Sequence, residues 1–210
     1  MSEEVANDRR VVRTKMVIRE ALVALILEKG FDALNVSDIA ARANINRATF
    51  YLHYKDKFDL LDQTEAEIID DVEKIVIQAN SLHFTDFNST DNPLPIVMTM
   101  FEYLKESAAL MHAVLELEGD FAFLTRLRKT VEQNLKLGFL ASLKAENFLV
   151  PSDYLISYVI SAHFGVIQTW LQNGCKESPR EMALILSKIS LYGPLQMTGV
   201  VIPTVFYSEH

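Results

Sequence analysis

Arg47, Thr49, Tyr51 and His53 put four hydrogen-bonding side chains of different kinds within seven residues of this 210-residue chain. A guanidinium carries parallel N–H donors that match two adjacent acceptors, such as those on a guanine edge, so Arg47 is the one two-point donor in the stretch. Residues 47–54 place Phe50 and Tyr54 on one side of a short helix and leave Arg47, Thr49, Tyr51 and His53 on its remaining surface. These four suit contact with a polar, anionic surface.

The elements that must position them lie immediately upstream. Asn35 can cap a helix over which Val36, Ile39, Ala40 and Ala43 recur at helical spacing, with Ser37, Asp38, Ala41 and Arg42 on the other side. The pattern stops at Asn44-Ile45-Asn46, where Asn44 tolerates a left-handed conformation and Asn46 can cap the next helix. Ala40 and Ala43 allow two helices to approach closely. Two short helices across such a turn predict the helix-turn-helix geometry, whose second helix enters a DNA major groove. Before them, Ile18, Ala21, Leu22, Leu25 and Ile26 form the stripe of a longer helix. It is expected from Lys15 to Lys29, capped by Thr14 and ended by Gly30. Residues 1–8 are expected as a disordered tail and Arg9 to Arg13 as a basic arm.

Charge divides along the same line. The chain carries a net −8, but residues 9–57 hold ten Lys/Arg against five Asp/Glu, a net of +5, leaving −13 for the rest. A basic module on an acidic body suits a protein that meets phosphate at one end only. The single cysteine, Cys175, excludes an intramolecular disulfide and fits a reducing cytoplasm. The N-terminus is polar and shows no signal peptide. Asp153 to Lys176 encloses no charged side chain, yet Ser157, Ser161, His163, Gln168, Gln172 and Asn173 argue for a buried helix rather than a membrane span.

The run GFDALNVSDIAARANINRATFYLHYKDKFDLL resembles the amino-terminal DNA-binding domain of the tetracycline-repressor (TetR) family of bacterial regulators. The resemblance covers roughly residues 13–61. It rests on Gly30-Phe31, Ile39-Ala40, Thr49-Phe50-Tyr51, His53-Tyr54-Lys55, Lys57 and Leu60-Leu61. Asn44 and Ala48 stand where the family usually has glycine, and Ala48 puts any transfer of operator sequence in doubt. The resemblance implies that Arg47, Ala48, Thr49, Tyr51 and His53 face the major groove or its walls. Arg47 would read bases, Ala48 or the Thr49 methyl would touch a thymine methyl, and Tyr51, His53 and Lys57 would hold phosphates together with Ser37 and Thr14.

Downstream, a fourth helix is expected from Phe58 to about Asn80, capped by Asp56, then a loop over 81–93. Five further helices follow at about 95–106, 108–117, 120–145, 152–173 and 179–192, with Asp120, Ser152 and Ser178 as candidate caps. The segment from Tyr154 to Ile189 resembles the closing region of a TetR subgroup common in Firmicutes, through Trp170-Leu171 and Ser178-Pro179. The helix over 152–173 shows two apolar faces. One runs through Leu155, Val159, Ala162, Val166 and Trp170, the other through Ile156, Ile160, Ile167 and Leu171. One can fill a core and the other needs a partner, which together with 179–192 predicts a four-helix homodimer interface.

The expected architecture is therefore all-α. It comprises a three-helix reading head over 9–57, a helical effector-binding and dimerisation body over 58–194, and a tail over 195–210. Candidate lining residues for a small, partly apolar effector are Met98, Phe101, Tyr103, Met111, His112, Phe139, His163, Phe164 and Trp170, each equally suited to ordinary core. The resemblance implies a regulator that binds a near-palindromic operator and is released by an effector. The alternative is a DNA-binding factor of the same fold with no small-molecule inducer, controlled by a protein partner or acting architecturally. No cofactor or metal is expected. The five histidines form no i, i+4 pair, His112 with Glu116 reads as a surface pair, and Cys175 has no catalytic context.

Overall fold

The computed structural model describes residues 2–79, 92–115, 121–137 and 148–199, and every regular element among them is helical. In chain order these are α1 (Ser2–Lys29), α2 (Val36–Arg42), α3 (Arg47–Tyr51), α4 (Lys57–Ala79), α5 (Pro95–Glu106), α6 (Ala108–Leu115), α7 (Phe121–Leu137), α8 (Ser152–Gln172) and α9 (Pro179–Tyr192). A single 3-10 turn follows over Gln196–Thr198. The chain divides into two compact units, Met1–Asp71 with Ser107–Leu127, and Val72–Glu106 with Arg128–His210. This line differs from a boundary at residue 57. Most of α4, all of α6 and the start of α7 belong with the reading helices.

The first unit is built on α1, which packs against both α2 and α6. Its core joins Ile18, Leu22, Leu25 and Ile26 of α1 to Leu34, Ile39, Phe50, Tyr54 and Leu60, with Ala113 of α6 fully buried among them. Phe50 is wholly buried and Tyr54 nearly so, as their spacing required. A buried aromatic of this size stabilises by about 2–3 kcal/mol through its area alone.

α1 is longer than its apolar stripe. It begins at Ser2, so the expected tail over 1–8 and arm at Arg9–Arg13 are instead helix. Thr14 is not a cap, since it lies inside the helix and its Oγ1 donates to the Arg10 carbonyl at 2.8 Å. The physical reason is compositional: residues 2–13 contain neither glycine nor proline. Gly30 ends the helix at φ +77°, where only glycine is unstrained.

The second unit packs α5 on α9 and α8 on α9. Phe101 and Trp170, both essentially buried, meet edge to face with centroids 5.1 Å apart. The Trp170 indole N–H donates to the Glu177 carbonyl, and the buried Ser187 hydroxyl accepts from the Leu94 N–H at 2.9 Å. Ser178 caps α9 through a reciprocal box with Glu181, Pro179 takes the first helical position, and Gly193 closes the helix at φ +79°. Ser152 does not cap α8. It is the first helical residue, preceded by Pro151, whose ring offers no acceptor. On α8, Ile156, Ile160, Trp170 and Leu171 are buried, so Trp170 joins the core rather than the outer face. The expected cap Asp120, the loop over 81–91, the helix beyond Leu137 and the tail beyond Gly199 lie outside the described residues.

Candidate nucleic-acid interface

The turn between α2 and α3 is fixed by local chemistry at three points. Asn35 accepts from the Asp38 N–H while Asp38 accepts from the Asn35 N–H, closing a capping box on α2. At the other end the Ile45 N–H reaches back to Ala40 and the Asn44 N–H to Ala41, with Asn44 left-handed at φ +53°. Asn46 then caps α3 through the Ala48 N–H at 2.9 Å. α3 spans only Arg47–Tyr51, with Phe50 as its buried anchor. Arg47, Ala48 and Tyr51 are exposed, as is Ser37 on α2, while Thr49, His53 and Thr14 are half-buried.

Several cations of the unit are already engaged. Arg42 holds both carboxylate oxygens of Glu28, tying α2 to α1, and Lys29 pairs with Asp38 at 3.0 Å. These bonds hold the Glu28 and Asp38 carboxyls below their usual range, through Arg42 for the first and Lys29 for the second. Arg19 meets Glu67 at 2.6 Å, and Lys15 lies over the Tyr54 ring. Lys57 is the clearest departure from the expected phosphate role. Its ammonium donates to the carbonyls of Phe31, Asp32 and Leu34 at 2.9–3.1 Å, between the Phe31 and Phe58 rings. An ammonium has three donors, and all three are occupied. Lys57 therefore fastens the start of α4 to the loop after α1.

Arg47 is in a different state. Among the described residues no carboxylate pairs with it. Its guanidinium lies 5.9 Å from the Tyr51 ring centroid, and one N–H reaches the Tyr51 hydroxyl at 3.3 Å. The Tyr51 ring is in turn set at 89° against Phe50. Sequence reasoning missed this pair, although the i, i+4 spacing of Arg47 and Tyr51 is a signal that could have found it. The clasp of Lys57 and the bidentate Arg42–Glu28 pair had no such signal, because both join residues that only folding brings together.

The candidate lining residues of the body separate. Phe101 and Trp170 are a mutual core pair, and Met98 and Tyr103, also on α5, are half-buried. His112 and Met111 lie on α6, in the first unit. His163 is half-buried on α8, its Nδ1 2.6 Å from the Val159 carbonyl and its Nε2 3.3 Å from the Ser190 hydroxyl of α9. Burial holds its pKa below the ordinary histidine value. Arg128 covers the Phe164 ring at 4.9 Å. Phe139 lies outside the described residues. Burial pushes the Cys175 thiol up, away from the reactive thiolate form. Among the described residues no helix is long and apolar enough to cross a membrane.

A short capped helix, packed across a left-handed turn on a second helix and baring an arginine, an alanine and a tyrosine, is a helix-turn-helix of the kind that DNA-binding proteins carry. The particular family follows from two family models. Residues 18–64 match the bacterial regulatory proteins of the tetR family, and residues 91–191 match a transcriptional regulator C-terminal region. The chain belongs to the TetR family of transcriptional regulators. It is 44% identical over 68 residues to the uncharacterized HTH-type transcriptional regulator YxbF of Bacillus subtilis, a match covering 30% of this chain and 18% of that protein. It is 26% identical over 143 residues to the HTH-type transcriptional repressor BepR of Brucella suis, covering 59% of this chain and 68% of that one. The structure of the transcriptional regulator FadR from Bacillus subtilis in complex with stearoyl-CoA shares the fold, with a TM-score of 0.58 at 17% identity over 85% of this chain and 98% of that one.

Proposed function

We propose that the chain is a sequence-specific repressor that binds a near-palindromic operator as a homodimer and is released by a small, partly apolar effector. The observation that carries this reading is the face of α3. Arg47, Ala48 and Tyr51 are exposed together above the buried Phe50, on a helix whose cap, turn and neighbouring cations are otherwise engaged within the fold. Arg47 reads a guanine edge, while Ala48 and the Thr49 methyl meet apolar base edges. Ser37 and His53 hold phosphates, and Thr14 joins them only by giving up its bond to the Arg10 carbonyl. Repression is supported by the likeness to BepR, and an effector with a long apolar part by the FadR complex.

Dimerisation through α8 and α9 is supported by what these helices leave uncovered. Tyr154 and Tyr158 on α8, and Ile185, Leu191 and Tyr192 on α9, are exposed large apolar residues, more than a solvated helix pair needs. Two heads on such a dimer bind half-sites separated by about one helical turn or somewhat more. In this reading the effector favours one of two dimer conformations and shifts the equilibrium away from DNA.

The test is selection of bound fragments from a random duplex library, with the wild type beside an Arg47→Ala, Tyr51→Ala variant. A palindromic motif recovered by the wild type alone is the expected result. No enrichment at low salt, from a protein shown to be dimeric by sedimentation, would overturn the reading.

A further inference from the structure

We infer that Tyr51 is a positioning residue for Arg47, and that through it Tyr51 sets base preference at one position of each half-site. This rests on the reading of α3 as the base-contacting helix. The tyrosine of this helix is expected to hold a phosphate, but its geometry fits a different job. Its ring stands at 89° to Phe50, with centroids 5.6 Å apart, and Phe50 is fully buried. The ring is thus braced against the core although Tyr51 itself is half exposed. On that brace lies the guanidinium of Arg47, one turn earlier, 5.9 Å from the ring centroid and 3.3 Å from its hydroxyl.

An arginine on a helix surface has several rotatable bonds to order before it can make two hydrogen bonds to a base. A cation held over an aromatic face, with one N–H directed by the phenol, has fewer of these states to lose. The other arginine of the two short helices is not available for the task. Arg42 is held by Glu28. α3 therefore carries a single guanidinium, already leaned on a rigid support and facing solvent. The ring fixes direction, and the hydroxyl adds a weaker second restraint.

The experiment uses the full-length protein and the duplex recovered in the selection, with a panel of duplexes changed at one base pair per half-site. Affinities are measured at fixed salt for the wild type, Arg47→Ala, Tyr51→Phe, Tyr51→Ala and the Arg47→Ala, Tyr51→Ala double variant. Arg47→Ala is expected to flatten the preference at one base pair, by roughly tenfold or more. Tyr51→Ala is expected to weaken preference at that same base pair several-fold, by about 3- to 10-fold, and to add nothing there once Arg47 is gone. Tyr51→Phe, which keeps the ring, is expected to retain most of it.

Two results would overturn the inference, and they differ. If Tyr51→Ala weakens every duplex alike, with or without Arg47, and lowers the salt slope by about one, Tyr51 is an independent phosphate contact. If Arg47→Ala leaves every base preference intact, the base-reading role of α3 fails as well.

Discussion

The two compact units use the same local devices to different ends. Each contains a helix opened by a reciprocal capping box, Asn35 with Asp38 in the first and Ser178 with Glu181 in the second. Each stops a helix with a left-handed residue whose following N–H reaches back five positions, at Asn44 after α2 and at Gly174 after α8. In the first unit these devices shape the proposed DNA-reading face itself, because α2, the turn and α3 are only as long as their caps. In the second they only delimit long helices. What those helices do depends on which of their faces meet α5 and α9, and no local signal specifies that.

The difference can be tested by removing the buried aromatic at the centre of each unit. Phe50→Ala and Phe101→Ala should each cost about 3–5 kcal/mol in denaturant unfolding. Only Phe101→Ala should shift the emission of the folded protein, because Trp170 is the single tryptophan and rests on Phe101. Equal spectral changes in both variants would contradict the assignment of Trp170 to the Phe101 core.

A smaller effect separates a support from a contact. Lys57→Met removes three hydrogen bonds from a charged donor to carbonyls and should cost about 1.5–3 kcal/mol of stability. If Lys57 works only as a clasp, the salt slope of DNA binding stays unchanged in the variant that remains folded. A slope reduced by about one would restore it to the phosphate contacts.

The capping boxes sharpen the contrast further. Asn35→Ala and Ser178→Ala should each cost about 1 kcal/mol in thermal unfolding. Asn35→Ala should also weaken DNA binding, since that cap sets the entry of α2, whereas Ser178→Ala should leave affinity for DNA within about twofold, well under 1 kcal/mol.

The remaining expected effects are two slopes with pH, both outside the neutral range. Burial raises the Tyr54 phenol to about 12 from an ordinary 10.0, so the folded first unit favours the neutral form. That contribution is fully present below pH 10 and is lost as pH rises through the interval to about 12. His163 has the opposite sign of dependence. Its value lies below the ordinary 6.5, so the fold again favours the neutral form, and stability is lost as pH falls below 6.5. Unfolding of Tyr54→Phe should lack the alkaline slope, and that of His163→Gln the slope below 6.5.

How much was legible in the sequence follows the same division. Asn35, Asn44, Asn46, Asp56, Ser178 and Gly30 were each readable as caps or stops, because a side-chain oxygen or a permissive φ acts within a few residues. Phe50 and Tyr54 were readable as core from spacing alone. Thr14 misled because a hydroxyl near the start of an apolar stripe marks a helix start only when the helix begins there, and Ser152 because it is the first helical residue rather than the residue before it. α1 runs twelve residues further upstream. The burial of Ala113 with the reading helices, the clasp of Lys57 and the pairing of Phe101 with Trp170 join residues dozens of positions apart. Periodicity showed that such residues face inward, but not which neighbours they meet.

The central claim is that the exposed face of α3, rather than the net charge of the chain, gives this regulator its DNA specificity. The most direct test compares the affinity of wild type and Arg47→Ala for the selected duplex and for a scrambled duplex of equal length, at one salt concentration. The account predicts that the wild type prefers its site by about 10³-fold or more, and that Arg47→Ala loses a large part of this ratio while binding the scrambled duplex nearly as before. Equal ratios for the two proteins, or a wild type that binds both duplexes alike, would contradict it.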